Sequence, residues 1–112
     1  MLPSILGSLA QVNHRRSRPI GWAKRVNPEI AFGDVLRALR RERGLSQEGL
    51  ALEADLERNF ISLLELGRNS ASIRTLFKLC GVLAIAPSEF LRRVEVRLLT
   101  DSQSRRGQGE TT

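Results

Sequence analysis

Few side chains in this chain could do covalent or metal chemistry: there is one cysteine, Cys80, and one histidine, His14. A lone Cys80 cannot close an intrachain disulfide, which fits a reducing compartment, and no His/Cys cluster has metal-ligand spacing. There is no Gly-rich phosphate loop, no pair of carboxylates in a recognisable catalytic setting, and no Ser/His/Asp or Cys/His arrangement. Neither enzymatic activity nor a cofactor or metal is therefore expected. Cationic chemistry is what the chain has in excess, with 18 Lys and Arg against 12 acids, a formal charge of +6 and a pI near 11.2. That balance suits a polyanion, either nucleic acid or an anionic membrane surface.

The 112 residues have room for one compact domain. Residues 1–26 hold five basic residues and no acid, interrupted by Pro3, Gly7, Pro19 and Gly21, and read as a flexible basic arm. The apolar opening, Met1 to Ala10, has no positive region before it and does not read as a secretory signal, although an Arg-rich, acid-free lead is also a property of transit peptides. No run approaches the roughly 18 apolar residues of a membrane span, so no membrane is expected and a cytoplasmic location is. Residues 100–112 are polar and rich in Ser, Gly and Gln, and read as a disordered tail.

Residues 27–99 read as five short helices with no strand. Asn27-Pro28-Glu29 supplies a cap, a first-turn proline and an acid at the positive dipole end; Phe32, Val35, Leu36 and Leu39 then form one apolar face before Gly44 stops the helix. Ser46 caps a second helix that turns Leu50, Ala51 and Ala54 inward. Asp55-Leu56 makes a tight turn into a third, which buries Ile61 and Leu64 and ends at Gly67. Ser72 caps a fourth whose stripe is Ile73, Leu76, Phe77, Cys80 and Leu83; Cys80 thus reads as core. A fifth starts near Pro87, with Phe90, Leu91, Val94 and Leu98 on one side. Helices two and three are about eight residues each, joined by about three, with small Ala51 and Ala54 where their backbones approach. This is the geometry that projects one helix into a DNA major groove.

The string Gly44-Leu-Ser-Gln-Glu-Gly-Leu-Ala51, followed by Ala54, Leu56, Arg58-Asn-Phe-Ile-Ser62, Leu64-Glu65, Gly67-Arg-Asn69 and Pro87-Ser-Glu-Phe-Leu91, closely resembles the phage-repressor-like helix-turn-helix family, which includes the controller proteins of restriction-modification systems. The resemblance spans roughly residues 30–95. It implies an all-α, five-helix lambda-repressor-like domain that binds double-stranded DNA as a transcriptional regulator, a repressor acting as a homodimer on a palindromic operator. Helix three then becomes the recognition helix. Arg58 can bridge guanine O6 and N7, Asn59 can pair with adenine N6 and N7, and Ser62 can contact either a base edge or a phosphate. Glu57 and Leu63 border this group, Leu63 in reach of a thymine methyl. The resemblance also places Ser46 and Gln47 on the phosphate backbone, where free helix-end N–H groups form an anion site, and makes Arg68, Asn69 and Ser70 a second phosphate clamp. Arg40 and Glu65 match a family pair that links helix one to the end of helix three and are read as structural.

Several positions depart from the family pattern. Asp55 stands at the usual turn glycine, Glu57 at the usual hydroxyl cap, and Gly49 at the site of a better helix former. Leu63 and Leu66 put apolar side chains where polar ones are common. If exposed together, they would favour a different role on the same fold, an antitoxin or other interaction module whose main ligand is a toxin or other protein. Val94, Leu98 and Leu99 have no evident partner within the chain and are the expected dimer seam, with Arg92, Arg93 and Arg97 at its rim.

Overall fold

The computed structural model describes residue 21 and residues 26–111, with side chains up to residue 100. The basic arm expected over residues 1–26 lies, apart from Gly21 and Val26, outside the described residues. Five helices follow in order: α1 (Pro28–Glu42), α2 (Gln47–Ala54), α3 (Arg58–Glu65), α4 (Ile73–Leu83) and α5 (Pro87–Thr111).

Three of the helix starts are set by the side chains that precede them. Asn27 Oδ1 accepts from Ile30 N at 3.1 Å, Ser46 Oγ from Gly49 N at 2.9 Å, and Ser72 Oγ from Thr75 N at 3.1 Å. Each bond satisfies an amide that has no partner within the helix. The stops are equally local. Gly44 (φ 70°) follows α1 and Gly67 (φ 73°) follows α3, whereas α2 ends on Asp55 (φ 58°) and α4 on Ala84 (φ 56°), both in the left-handed region. Asp55 thus takes the conformation for which a glycine would be the ordinary residue.

Helix α1 packs against α3 and α5, α2 against α3 and α4, and α4 against α5. The fully buried centre is Phe90 with Leu36, Leu50, Ile61, Leu64, Leu79 and Cys80, drawn from all five helices. Burying each large side chain of this kind contributes roughly 1.5–3 kcal/mol. Phe32 and Phe90 meet with ring centroids 4.9 Å apart at 52°, and Arg97 pairs with Asp34 at 3.2 Å, both contacts joining α1 to α5.

The expected stripes on α4 and α5 are each rotated in the structure. On α4 the buried arc is Leu76, Leu79, Cys80 and Leu83, while Ile73 (71% exposed) and Phe77 (59%) lie outside it. Leu79, missing from the expected stripe, pulls the centre of the arc away from both. On α5, Phe90, Val94 and Leu98 are buried, and Leu91 is 47% exposed. Val94 and Leu98, expected at a dimer seam for want of an intrachain partner, therefore have one: they belong to the chain's own core, and only Leu99 of the three is exposed. The helix also continues past Leu99 to Thr111, through the segment whose composition reads as a disordered tail.

Candidate nucleic-acid interface

Helix α3, the expected recognition helix, is held by one buried carboxylate. Glu65, the last residue of α3, has a fully buried side chain, and Arg40 of α1 donates to both its oxygens, Nε to Oε2 at 2.6 Å and Nη2 to Oε1 at 3.0 Å. Arg40 Nη1 also donates to the Leu45 carbonyl at 2.9 Å, tying in the loop before α2. Arg37 approaches from the solvent side, with Nε 3.5 Å from Glu65 Oε1 and Nη2 donating to the Glu65 carbonyl at 3.4 Å. Burial pushes the Glu65 carboxyl upward, but the hydrogen bonds from Arg40 and Gln47, with the charges of Arg40 and Arg37, outweigh it and hold the group below its ordinary value. The bond to Glu65 in turn raises Arg40.

A second constraint is steric. At Gly33 of α1 an added Cβ would lie 2.4 Å from the Leu64 carbonyl oxygen and 2.6 Å from that of Glu65, so α1 and α3 cross at backbone contact. The role of Gly33 was missed in the sequence. The available signal was its cost, since a glycine inside a helix gives up roughly 1 kcal/mol relative to alanine and needs a reason.

With Ile61 and Leu64 turned to the core, helical spacing sets Asn59, Leu63 and Leu66 on the other side of α3 with Ser62 at its flank, while Arg58, three residues before Ile61, stands toward the core side at the open end of the helix. Glu57, Arg58 and Asn59 are exposed at its first turn, and Ser62 and Leu63 are half-buried one turn on. Glu57 occupies the cap position without a capping hydrogen bond from its side chain, so nothing from that residue covers the first-turn N–H groups.

The residues expected on phosphates have more varied environments. Ser46 is exposed at the start of α2, where its hydroxyl serves the cap. Gln47 is half-buried and donates Nε2 to Glu65 Oε1 at 3.0 Å, a bond the sequence did not reveal. Arg68 is exposed just past α3. Asn69 is half-buried, and the Ser70 hydroxyl donates to Glu29 Oε2 at 3.2 Å, so Ser70 is engaged with an acid of α1. Asn69 and Ser70 line a shallow cleft of about 160 Å³ with Pro28, Glu29, Phe32 and Ala71. Among the described residues there is no group of three or more His, Cys, Asp or Glu that could hold a metal, and no helix long and apolar enough to cross a membrane.

Two short helices joined by the three-residue turn 55–57, the second anchored at its end and polar at its start, define a helix-turn-helix protein. A helix-turn-helix family profile matches residues 36–90. The chain is 38% identical over 68 residues to control protein C.MunI from Mycoplasma sp, which covers 60% of this chain and 92% of that protein. Among solved structures, the restriction-modification controller protein C.AhdI from Aeromonas hydrophila is 39% identical, with a TM-score of 0.53 over 55% of this chain and 92% of that one. Controller protein C.Esp1396I, solved as a tetramer with its natural 35 base-pair operator, is 25% identical, with a TM-score of 0.59 over 64% of this chain and 95% of that one. The chain belongs to the helix-turn-helix family that holds these controller proteins, a family of DNA-binding transcriptional regulators.

Proposed function

We propose that the protein reads a palindromic operator through α3, with Arg58 and Asn59 on base edges and Ser62, Leu63 and Glu57 beside them, and acts in the cytoplasm as a homodimeric repressor. Ser46, Gln47, Arg68, Asn69 and Ser70 contact the flanking phosphates in this reading. The observation that carries it is the pairing of an exposed Arg58-Asn59 turn with a buried anchor at the other end of the same helix. A side chain that discriminates bases must be delivered at a fixed angle, and the Arg40–Glu65 pair supplies that rigidity.

One such helix reads too few base pairs to be selective, which is why two copies are proposed. Because Val94 and Leu98 serve the core, the seam is assigned to Leu91 and Leu99, two of the three apolar residues that α5 leaves exposed, the third being Val96. A toxin or other protein partner on the recognition face would call for Leu63 and Leu66 exposed together; Leu66 is exposed and Leu63 is half-buried.

Selection from random-sequence duplexes tests the reading. The expected product is a two-fold sequence whose half-sites are centred about 34 Å apart, one turn of DNA. Recovery of no sequence above the random background would overturn it.

A further inference from the structure

We propose that Glu65, besides anchoring α3, is a positioning residue for DNA: it orients the carboxamide of Gln47 so that its second N–H is aimed for a phosphate oxygen. This rests on the reading of Gln47 as a phosphate contact.

Gln47 is the first residue of α2, and its side chain bridges to the last residue of α3 through the 3.0 Å bond from Nε2 to Glu65 Oε1. The direction of that bond is set by chemistry, because an ionised carboxylate only accepts and therefore only the NH2 end of the amide can face it. The carboxamide is planar, so once one of its N–H groups is bound the second has a fixed direction as well. An unbranched glutamine at a helix end would otherwise sample several rotamers and give up that freedom when DNA binds.

Glu65 suits this task because it is itself immobile. Arg40 occupies both carboxylate oxygens and Gln47 shares Oε1, and burial prevents water from competing. Its charge does not repel a phosphate either. Two guanidiniums, Arg40 and Arg37, face this single carboxylate, leaving the cluster with a net positive charge beside the α2 N-terminus. The same side chain thus ties the element that reads bases to the element that touches the backbone and sets the register between them.

A double-mutant cycle tests this on a duplex recovered by the selection above. Gln47→Ala is expected to weaken binding about tenfold, the worth of one hydrogen bond to a charged acceptor. Glu65→Asp keeps a charge opposite Arg40 but withdraws the acceptor from Gln47, and should cost about tenfold more in the wild-type background than in the Gln47→Ala background, where only its effect on the α3 anchor remains. Unchanged affinity for Gln47→Ala would overturn the phosphate reading and the inference with it. A loss for Gln47→Ala combined with additive losses across the cycle would overturn the positioning role alone. Should Glu65→Asp not fold, the free wild-type protein decides. One side-chain amide hydrogen of Gln47 should be protected from exchange and the other not, and equal, rapid exchange of both would overturn the proposal.

Discussion

Arg58 and Asn59 differ from the other polar residues of α3 in what they can distinguish, because each can form a paired hydrogen bond with one kind of purine. Replacing either by alanine is expected to weaken binding to the selected duplex by about 1–3 kcal/mol, and to relax preference at one base pair, with little change on a random duplex. Fluorescence anisotropy on both duplexes measures this, and equal losses on the two would exclude direct readout. Glu65 leads to a prediction about acid. Its carboxyl titrates below its ordinary value in the folded chain, so its stabilising contribution is complete above that ordinary value and is lost as pH falls through it toward the depressed folded one. Thermal unfolding from neutral pH to pH 3 should show this loss persisting in high salt, because the pair is buried. Glu89, held at about 2 by Arg92 and Arg93, lies on the surface, and its contribution should fade with salt. Arg40→Ala, which leaves the buried carboxylate only the longer contact to Arg37 and the bond from Gln47, should cost up to about 3–5 kcal/mol. Residue by residue, the reading of Arg40 and Glu65 as a structural link is seen in the geometry. The Gln47 bond was not legible because its partner lies at the far end of another helix, and local sequence carries no trace of an 18-residue separation.

At the scale of the elements, the sequence was most legible where the determinant is local. Asn27, Ser46 and Ser72 cap the helices expected of them, and Asp55 takes the left-handed turn. It was least legible in rotation about a helix axis. Ile73, Phe77 and Leu91 have apolar side chains at plausible spacing, and only the packing of neighbouring helices decides which edge of a broad apolar arc is covered. The end of α4 was not foreseen, since Ala84 carries none of the usual signals for a positive φ. A left-handed alanine is costly, so Ala84→Gly should raise stability by about 1 kcal/mol, read as a higher midpoint in chemical denaturation with an unchanged slope. An unchanged midpoint would mean that the entropy glycine loses on folding offsets the relieved strain.

For the whole molecule the outstanding issue is how two copies meet. The sequence suggested Val94 and Leu98 because an isolated helix gives no view of what lies behind it, and α1 lies behind this one. Substituting those two by glutamate should now unfold the chain, since each would bury a charge in the core. Leu91→Glu with Leu99→Glu should instead leave a folded monomer with its helical signal intact and its binding to the two-fold duplex much reduced. Sedimentation at micromolar concentration, set against the 12.5 kDa mass of one chain, measures the change. A wild-type protein that is already monomeric at that concentration would remove the basis for the seam.

In a population of sequences descending from this one, position 33 is frozen and position 81 is free. A Cβ at Gly33 would collide with the Leu64 and Glu65 carbonyls, backbone that cannot step aside unless α3 moves, whereas nothing lies within 4 Å of a Cβ at Gly81. A library carrying every substitution at both positions, selected for operator occupancy, should return glycine alone at 33 and many residues at 81, with alanine foremost for its helix propensity. Small residues surviving at 33 would mean that the recognition helix can retreat and still seat in the groove. Their absence would make that one missing methyl the most heritable feature of the protein's reading head.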